Sequence, residues 1–293
     1  MRLKGIHIAM LGGDRREREL VRSLLQEGAS LRLVGWPAID GTVKAADPIE
    51  AVRWAHVVIL PMSGPDGRGR LATPKTAGAE LVLDENLLRA VGRKKPMFVG
   101  VLPPGLRSAA EKYGVQSVQW TAFDEIAIAN SIPTAEGAVM LALEKLPVTI
   151  HGSSSLVVGF GRCGMTLARL LHAMGSDVSV IARGAAERAR AREMGMRPWS
   201  FGELADAVVG QDVIFNTVPV VVLTAAVLER TRPDGLIIDI ASHPAGTNFE
   251  AAKRLGRQAL HVLGIPGKTA PVTAGRILAE HAPELILAEL QRR

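Results

Sequence analysis

Short apolar runs alternate with amphipathic segments along the first half of this 293-residue chain. Each run ends at glycine, proline or polar residues, as buried strands do. The segment that ends at Gly28 places four apolar residues on one helical face, and a second helix is predicted around Ser108–Tyr113. Strands that alternate with helices indicate a parallel sheet. The predicted strands are Gly5–Leu11, Leu31–Gly35, Val57–Leu60 and Pro96–Leu102.

The same rhythm returns after a predicted helix, Pro133–Leu146, which opens with proline and has Glu136 in its first turn. The strands predicted in this half are Leu156–Gly159, Asp177–Ala182, Val213–Asn216, Leu236–Ile240 and Ala259–Leu263. The helices predicted between and after them are Met165–Met174, Ala185–Met194, Glu203–Val209, Thr224–Arg230 and Thr273–Arg293.

These elements predict an α/β protein with two doubly wound parallel-sheet domains joined by long helices. Residues 1–130 are expected to form the first domain, with a C-terminal helix at about residues 275–293 packing back on it. Residues 131–274 are expected to form the second domain, which includes the connecting helix.

The composition is that of a soluble globular protein, with 47% hydrophobic and 22% charged residues. No apolar run reaches the roughly 18 residues that cross a bilayer, so we expect no membrane segment. The net charge of +6 comes from basic residues scattered among acids, without interleaved aromatics, which argues against nucleic-acid binding. The single cysteine, Cys163, allows no intramolecular disulfide and fits the cytoplasm. Neither a cysteine cluster nor a helical histidine pair indicates a metal site.

One glycine-rich turn carries the strongest chemical signal. A predicted strand runs directly into Gly159-Phe160-Gly161-Arg162-Cys163-Gly164, and a predicted helix follows. In this fingerprint of dinucleotide binding, the first glycine permits a tight turn, the second lets the backbone approach a pyrophosphate, and the third allows close helix–strand packing. The free N–H groups and the dipole of the helix N-terminus favour that anion. The second domain is therefore predicted to be a Rossmann NAD(P)-binding domain.

The end of the next strand discriminates between cofactors. NAD sites place an acid there, which binds the ribose 2′-hydroxyl, whereas this strand ends Ala182-Arg183. A carboxylate would repel a 2′-phosphate, and an arginine can pair with it, so we predict NADP. Arg188 either assists or remains a solvated helical charge.

Two later strand ends add polar candidates. The segment Asn216-Thr217-Val218-Pro219 is expected to face the cofactor, and Asp239 ends the following strand near the nicotinamide. The alternatives are that Asn216 caps a helix and that Asp239 only binds the backbone. Cys163 is expected to be a packing residue rather than a nucleophile.

Seven segments together resemble one family, the A subunit of dipicolinate synthase from spore-forming bacteria. They cover the chain in order and are Ile8–Arg15, Leu60–Ser63, Asn130–Gly137, Ile150–Ser153, Gly159–Thr166, Asn216–Pro219 and Ala270–Gly275. Dehydrogenases in general share only the glycine fingerprint. The resemblance implies NADP-linked oxidation of dihydrodipicolinate to dipicolinate in the mother-cell cytoplasm, and a partner, the flavoprotein-like B subunit. We also expect a homo-oligomer. His243 stands where we would expect a basic residue such as arginine.

Ligands of open α/β sheets bind beyond the carboxyl ends of the strands. In the first domain these ends carry Gly13, Asp14 and Arg15, with Ser63 after another strand. Gly13 and the helix N-terminus that follows, with Arg15 beside them, are predicted to hold one carboxylate of a small dicarboxylate substrate. The alternatives are an N-cap for Asp14 and a solvated charge for Arg15. The Gly- and Arg-rich segment Gly64–Gly78 is predicted to be a loop at the mouth of the site.

The start of the connecting helix is expected to face the cleft between the domains. Thr134 would bind the substrate or the nicotinamide amide. Glu136 and His243 are the candidate proton acceptors, although a first-turn glutamate is also ordinary compensation of the helix dipole.

Two other function classes remain open. An NADP dehydrogenase similar to shikimate dehydrogenase would carry a lysine–aspartate pair in its first domain, and no such pair is convincingly placed. A non-catalytic NADP-binding regulator would lack polar strand ends such as those at Asp14, Arg15 and Ser63.

Overall fold

The computed structural model describes residues 1–74 and 80–292. The chain divides into two compact units: unit 1 comprises residues 1–129 and 270–293, and unit 2 comprises residues 130–269. Residues 75–79, which belong to the predicted loop Gly64–Gly78, lie outside the described residues, as does Arg293 at the end of the last predicted helix.

Unit 1 alternates strands and helices. Its strands are β1 (His7–Leu11), β2 (Ser30–Val34), β3 (Val43–Lys44), β4 (Val57–Ile59), β5 (Arg70–Leu71), β6 (Leu81–Val82), β7 (Pro96–Val99) and β8 (Gln116–Gln119). Its first helices are α1 (Arg15–Gln26), α2 (Pro48–Trp54), α3 (Glu85–Val91) and α4 (Pro104–Lys112).

The long helix α5 (Asp124–Lys145) begins in unit 1 and continues in unit 2. The strands of unit 2 are β9 (Ser154–Val158), β10 (Asp177–Ile181), β11 (Arg197–Trp199), β12 (Val213–Asn216), β13 (Leu236–Asp239) and β14 (Gln258–His261). The helices that follow α5 are α6 (Arg162–Ala173), α7 (Ala185–Glu193), α8 (Leu204–Ala207), α9 (Ala225–Glu229), α10 (Phe249–Arg254), α11 (Ile265–Thr269) and, back in unit 1, α12 (Pro271–Gln291).

Each unit contains a six-stranded parallel sheet with the same winding. The strand order is β3-β2-β1-β4-β7-β8 in unit 1 and β11-β10-β9-β12-β13-β14 in unit 2. In both sheets the chain starts in the middle, moves to one edge and then returns past the first strand, which is the doubly wound arrangement. The predicted fold class is confirmed. The point where the winding reverses lies between β1 and β4 in unit 1 and between β9 and β12 in unit 2.

Alternation along the strands explains the two-layered core of unit 1. Ile8 and Met10 of β1 are buried on the face covered by α1 and α12. Ala9 and Leu11 are buried on the other face, against α2 and α3. Successive side chains of a strand point to opposite faces, so a sheet with helices on both sides needs continuous apolar strands.

The start predicted for the connecting helix is wrong. The helix begins at Asp124, and Pro133 lies inside it rather than in its first turn. Proline is common in the first turn of a helix, because its missing N–H and fixed φ suit that position, so Pro133 predicts a helix start. Glu136 is therefore a mid-helix residue, and compensation of the dipole at a helix N-terminus cannot explain it.

Among the described residues, α5 is also the one helix long and apolar enough, by length and composition, to cross a membrane. Close to half of that apolar window, 44%, is buried inside the protein. Four of its buried residues, Ala135, Ala138, Val139 and Ala142, belong to the core of unit 2. No uninterrupted apolar run marks this helix, because polar residues interrupt the sequence of α5.

Candidate functional site

The turn after β9 is shaped by two glycines that the protein's own packing requires. Gly159 has a φ of +97°, and a Cβ atom there would lie 2.4 Å from Oγ1 of Thr217. At Gly164 a Cβ atom would lie 2.0 Å from the carbonyl oxygen of Gly159. The first glycine therefore provides the left-handed turn, and the other allows α6 to approach the strand. Phe160 between them is buried.

Gly161 differs, because no contact with the part of the chain that the structure describes requires a glycine there. Its φ of −84° suits any residue, and a Cβ atom would meet no other atom within 4 Å. Gly161 is the N-cap of α6, and the first turn of this helix contains no acidic side chain. Open space at the positive end of a helix dipole suits a pyrophosphate. Arg162 lies exposed at the first helical position. The turn therefore fits a dinucleotide.

Cys163 is half-buried at the second position of α6. Burial raises the pKa of its thiol to about 11. The thiol is protonated at neutral pH and is a poor nucleophile, since the thiolate is the reactive form.

The end of β10 presents a free guanidinium. Ala182 is buried and Arg183 is exposed. The Arg183 guanidinium makes no ion pair or hydrogen bond with another described residue. Arg188 instead donates Nη1 to the carbonyl oxygens of Ala182 at 3.1 Å and Arg183 at 2.7 Å, so it braces this loop. Glu187 accepts a hydrogen bond from the Gly184 N–H at 3.0 Å, at the start of α7.

The end of β12 forms a turn closed by its own side chain. Asn216 is fully buried; its Nδ2 donates to the carbonyl oxygen of Val218 at 2.9 Å, and its Oδ1 accepts from the Val218 N–H at 3.2 Å. Thr217 donates Oγ1 to the carbonyl oxygen of Val158 at 2.9 Å. Asn216 does not cap a helix, because α9 begins only at Ala225. The turn instead places Thr217 and Val218 against Gly159, with Pro219 following.

Asp239 pairs with Asn216 across neighbouring strands and is also fully buried. Its Oδ1 accepts from the Ala241 N–H at 3.0 Å, and its Oδ2 accepts from the Gly246 N–H at 2.9 Å and from Thr247 Oγ1 at 2.7 Å. The carboxylate therefore holds the loop after β13 in place. Of the two roles considered for Asp239, these contacts fit the one in which it binds the backbone.

That loop carries His243, one of the two candidate proton acceptors. His243 is exposed, and its ring meets the ring of His261 edge-on, with centroids 5.2 Å apart. His261 is held at Nε2 by the carbonyl oxygen of Ala241 at 3.0 Å and is backed by Phe249. The sequence analysis missed His261, although its position at the end of β14 was the available signal. In residues 1–74 and 80–292 no group of three potential metal ligands lies together.

The corresponding edge of unit 1 carries charged side chains. Asp14 is the N-cap of α1: its Oδ1 accepts from the Arg16 N–H at 2.8 Å, and its carboxylate pairs with the buried Arg16 guanidinium at 2.8 Å. Burial raises the pKa of Asp14, but the hydrogen bonds and charge of Arg16 outweigh it and hold the pKa below its ordinary value. Glu17 completes a capping box by accepting from the Asp14 N–H at 2.7 Å.

The binding mode predicted for Gly13 is therefore not available. Its N–H donates to the carbonyl oxygen of Ala72 at 2.7 Å, and a Cβ atom at Gly13 would lie 2.5 Å from the Trp36 ring. The N-terminus of α1 is already occupied by the carboxylates of Asp14 and Glu17, so it offers no open anion site. The spacing Asp14-x-x-Glu17 was a signal for this capping box that the sequence analysis did not use.

Two of the predicted substrate residues remain accessible. Arg15 is exposed, and its guanidinium makes no ion pair or hydrogen bond within the described part of the chain. Ser63 is exposed after β4, and its hydroxyl makes a long 3.4 Å hydrogen bond to the carbonyl oxygen of Gly64. On α5, Thr134 is half-buried and donates Oγ1 to the carbonyl oxygen of Asn130 at 2.8 Å, whereas Glu136 is exposed.

Comparisons with known proteins agree with this geometry. Residues 7–121 match the family model of the N-terminal domain of the dipicolinate synthase A subunit. Residues 156–243 match the model described as NADP oxidoreductase, coenzyme F420-dependent, so unit 2 contains an oxidoreductase domain that binds a nicotinamide cofactor. The A subunit of dipicolinate synthase from Bacillus subtilis strain 168 is 40% identical over 99% of this chain and 98% of that protein.

Two crystal structures extend the similarity to the whole fold. The dipicolinate synthase A subunit from Bacillus halodurans superimposes with a TM-score of 0.90 and 37% identity, over 97% of this chain and 98% of that one. The corresponding protein from Bacillus subtilis superimposes with a TM-score of 0.86 and 39% identity, over 99% and 98%. The resemblance inferred from the seven segments is confirmed, and the chain belongs to the family of dipicolinate synthase A subunits.

Proposed function

We propose that this protein oxidises dihydrodipicolinate to dipicolinate, pyridine-2,6-dicarboxylate, with NADP as the hydride acceptor. The observation that carries the proposal is the 40% identity, along 99% of the chain and thus through both units, to the A subunit of a dipicolinate synthase. In this proposal unit 2 binds NADP and unit 1 binds the substrate. Dipicolinate is a spore component, so the activity would serve sporulation.

The proposed chemistry asks the protein mainly to position its reactants. Oxidation of a dihydropyridine removes a hydride and a proton and leaves an aromatic ring, which supplies much of the driving force. The protein must then hold the ring and match the charges of its two carboxylates. NADP, when bound, supplies the hydride acceptor. The residues of unit 2 that would hold it are those of the Gly159–Gly164 turn and the Thr217–Pro219 segment.

The preference for NADP rests on Arg183. This side chain is exposed at the end of β10, where an NAD site would present an acid, and its guanidinium has no competing partner among the described residues. A planar guanidinium can donate two hydrogen bonds to a phosphate. Arg188 supports the same loop by holding the Ala182 and Arg183 carbonyl oxygens.

In unit 1 we propose Arg15 and Ser63 as the substrate contacts. Arg15 offers an exposed charge for a carboxylate, and Ser63 an exposed hydroxyl. Asp14 belongs to the proposed site only through its pair with Arg16. Thr134 remains a candidate contact through its hydroxyl.

The proton acceptor is proposed to be His243 or Glu136, both of which are exposed. His243 is the stronger candidate, since it lies beyond the carboxyl end of β13 with its ring supported by His261. His243→Ala would then abolish most turnover with an unchanged Kd for NADP, while Glu136→Gln would retain it. The opposite pattern would assign the role to Glu136, and full activity in both variants would exclude both residues.

The partner and the location follow from the family. The relatives are named as the A subunits of an enzyme, which implies at least one further type of subunit. We propose that this chain has a flavoprotein-like B subunit for its partner. We further propose a homo-oligomer in the cytoplasm of the mother cell.

One assay tests the central proposal. The purified protein is mixed with NADP and freshly generated dihydrodipicolinate, and dipicolinate is followed by its ultraviolet absorbance. We expect product formation that depends on NADP. No product, either alone or with the B subunit, would contradict the proposed reaction.

A further inference from the structure

Glu17 has one more role than a capping box requires. Its Oε2 accepts from the Asp14 N–H, which completes the box at the start of α1. Its Oε1 reaches across to the loop after β4 and accepts from the Met62 N–H at 2.8 Å. The residue is 1% exposed, so both bonds are shielded from water. One carboxylate therefore connects the loops that follow β1 and β4, on either side of the point where the sheet reverses its winding.

The Met62 loop is tightly held on its other side as well. The Gly64 N–H donates to the carbonyl oxygen of Pro61 at 2.9 Å and closes the turn. A Cβ atom at Gly100 would lie 1.7 Å from the carbonyl oxygen of Met62, and one at Gly64 would lie 2.2 Å from that of Val101. The backbone of the loop that follows β7 thus lies directly against this turn, and Glu17 fixes the turn from the α1 side.

Ser63 lies at the exposed tip of this turn, next to the residue whose N–H Glu17 binds. A carboxylate that is buried without hydrogen bonds is costly, and this one accepts two backbone N–H groups. A capping box by itself does not require its glutamate to be buried. The burial of Glu17 between two loops is therefore the unusual part of the arrangement.

We propose that Glu17 is a positioning residue that holds the Ser63 hydroxyl in place for the dicarboxylate substrate. The inference deepens the proposed function, on which it rests. Arg16 contributes from the preceding position, since its buried guanidinium pairs with Asp14 and keeps that N-cap fixed. Glu17 itself touches no substrate in this arrangement and acts only through the turn.

A double-mutant cycle tests the proposal, with dipicolinate as the stable probe. The Kd of dipicolinate is measured by calorimetry with saturating NADP for the wild type, Glu17→Gln, Ser63→Ala and the double variant. A glutamine has one acceptor oxygen, so it can keep only one of the two loop bonds. We expect each single variant to weaken binding about tenfold, and the double variant to be no weaker than Ser63→Ala. The Kd for NADP should stay within about twofold, and Glu19→Gln on the same helix should bind dipicolinate as the wild type does.

Hydrogen exchange of the Met62 amide provides a readout that does not depend on activity. In the wild type this amide should exchange slowly, and in Glu17→Gln at least about tenfold faster. Additive effects of Glu17→Gln and Ser63→Ala would overturn the proposal, as would rapid exchange of Met62 in the wild type, a measurement that needs no variant to fold. If the wild type neither binds dipicolinate nor forms it, the proposed function fails instead, and Met62 exchange still reports whether Glu17 holds the turn.

Discussion

Each unit has a glycine turn after the first strand of its sheet, and the two sheets have the same winding. The side chains in the two turns, however, differ in charge and size. In both, a glycine with positive φ follows the first strand, Gly12 at +67° and Gly159 at +97°, and a helix opens with arginine three residues later. The intervening positions can therefore be compared one by one. Four pairs differ: Gly13 with Phe160, Asp14 with Gly161, Arg16 with Cys163, and Glu17 with Gly164.

The difference leaves the helix N-terminus open in unit 2 and filled in unit 1. In unit 2 the N-cap and the third helical residue are glycines, so the helix N-terminus is left open for an anion that the protein does not itself contain. In unit 1 the same two positions are Asp14 and Glu17, and the protein's own carboxylates occupy the N-terminus. In the proposed function, unit 1 therefore holds its ligand with side chains, and Arg15 and Ser63 are the proposed contacts.

The largest effect on stability and cofactor binding is expected from adding a side chain at Gly164, where α6 lies against the turn of unit 2. In Gly164→Ala the new Cβ atom would lie 2.0 Å from the Gly159 carbonyl oxygen, which is backbone and cannot rotate away. We expect a loss of roughly 4 kcal/mol in the free energy of unfolding, with loss of NADP binding. Chemical denaturation and calorimetric titration measure the two effects.

Gly161→Ala is the matched control for that change. Its Cβ atom meets no protein atom within 4 Å, so the free energy of unfolding should barely change, while the Kd for NADP rises at least about tenfold, or about 1.4 kcal/mol. If this variant binds NADP as tightly as the wild type, the open space at Gly161 is not where the pyrophosphate lies.

The next effect is expected in unit 1 and depends on pH. Burial, and then the charge of Asp14, raise the pKa of Glu17 from 4.5 to about 7. A carboxyl group with a raised pKa in the folded state stabilises the fold in its protonated form. Its contribution is complete below pH 4.5 and is lost as the pH rises through 7. As it ionises, Glu17 should thus lower the free energy of unfolding by roughly 2 to 3 kcal/mol between about pH 5 and pH 8.

Glu17→Gln removes this dependence, because an amide does not ionise. Denaturation at about pH 5 and pH 8 should show a smaller difference for the variant than for the wild type. Glu19→Gln should keep the wild-type difference, since it changes a glutamate on the same helix that pairs with Arg22 at the surface. An equal pH dependence in Glu17→Gln and the wild type would show that Glu17 ionises normally.

A smaller effect is expected at the end of β10, where we propose that unit 2 distinguishes NADP from NAD. Arg183→Asp replaces the guanidinium, which has no partner among residues 1–74 and 80–292, with the carboxylate that an NAD site would carry. We expect the Kd for NADP to rise about thirtyfold, or about 2 kcal/mol, while the Kd for NAD falls or stays the same. Arg192→Asp, which changes an exposed arginine near the end of α7, should preserve the preference. The prediction fails if Arg183→Asp and the wild type discriminate between the two cofactors equally.

The sequence predicted unit 2 better than unit 1, for a physical reason. Gly159 and Gly164 meet steric constraints that glycine alone satisfies, and these are visible as residue types at fixed spacing. The strands were also well located, since each is a continuous apolar run. Short elements such as β3, with two residues, and α2, with seven, were missed because so few residues show no clear periodic pattern.

The site in unit 1 was less accessible to such reasoning. Asp14 was recognised as a possible N-cap, but the burial of Glu17 depends on the loop after β4, which is distant in the sequence. The position of Gly13 before a helix predicts that its N–H binds an anion. Only the fold shows that this N–H already donates to the carbonyl oxygen of Ala72. Pro133 led to a wrong helix start, because a proline inside a helix cannot be told from one in the first turn by residue type alone.

The smallest effect is expected at Cys163, the counterpart of Arg16 in the comparison. Arg16 is charged and pairs with its N-cap, whereas the Cys163 thiol has a pKa raised to about 11 by burial and stays neutral. Cys163→Ala should therefore leave kcat and the Kd for NADP within about twofold of the wild type. At about pH 8, iodoacetamide should alkylate Cys163 about 100-fold more slowly than a thiol with the ordinary pKa of 9.0. Rapid alkylation would mean that the turn opens far enough to hydrate the thiol. The tight glycine packing by which the turn of unit 2 differs from that of unit 1 would then not be rigid.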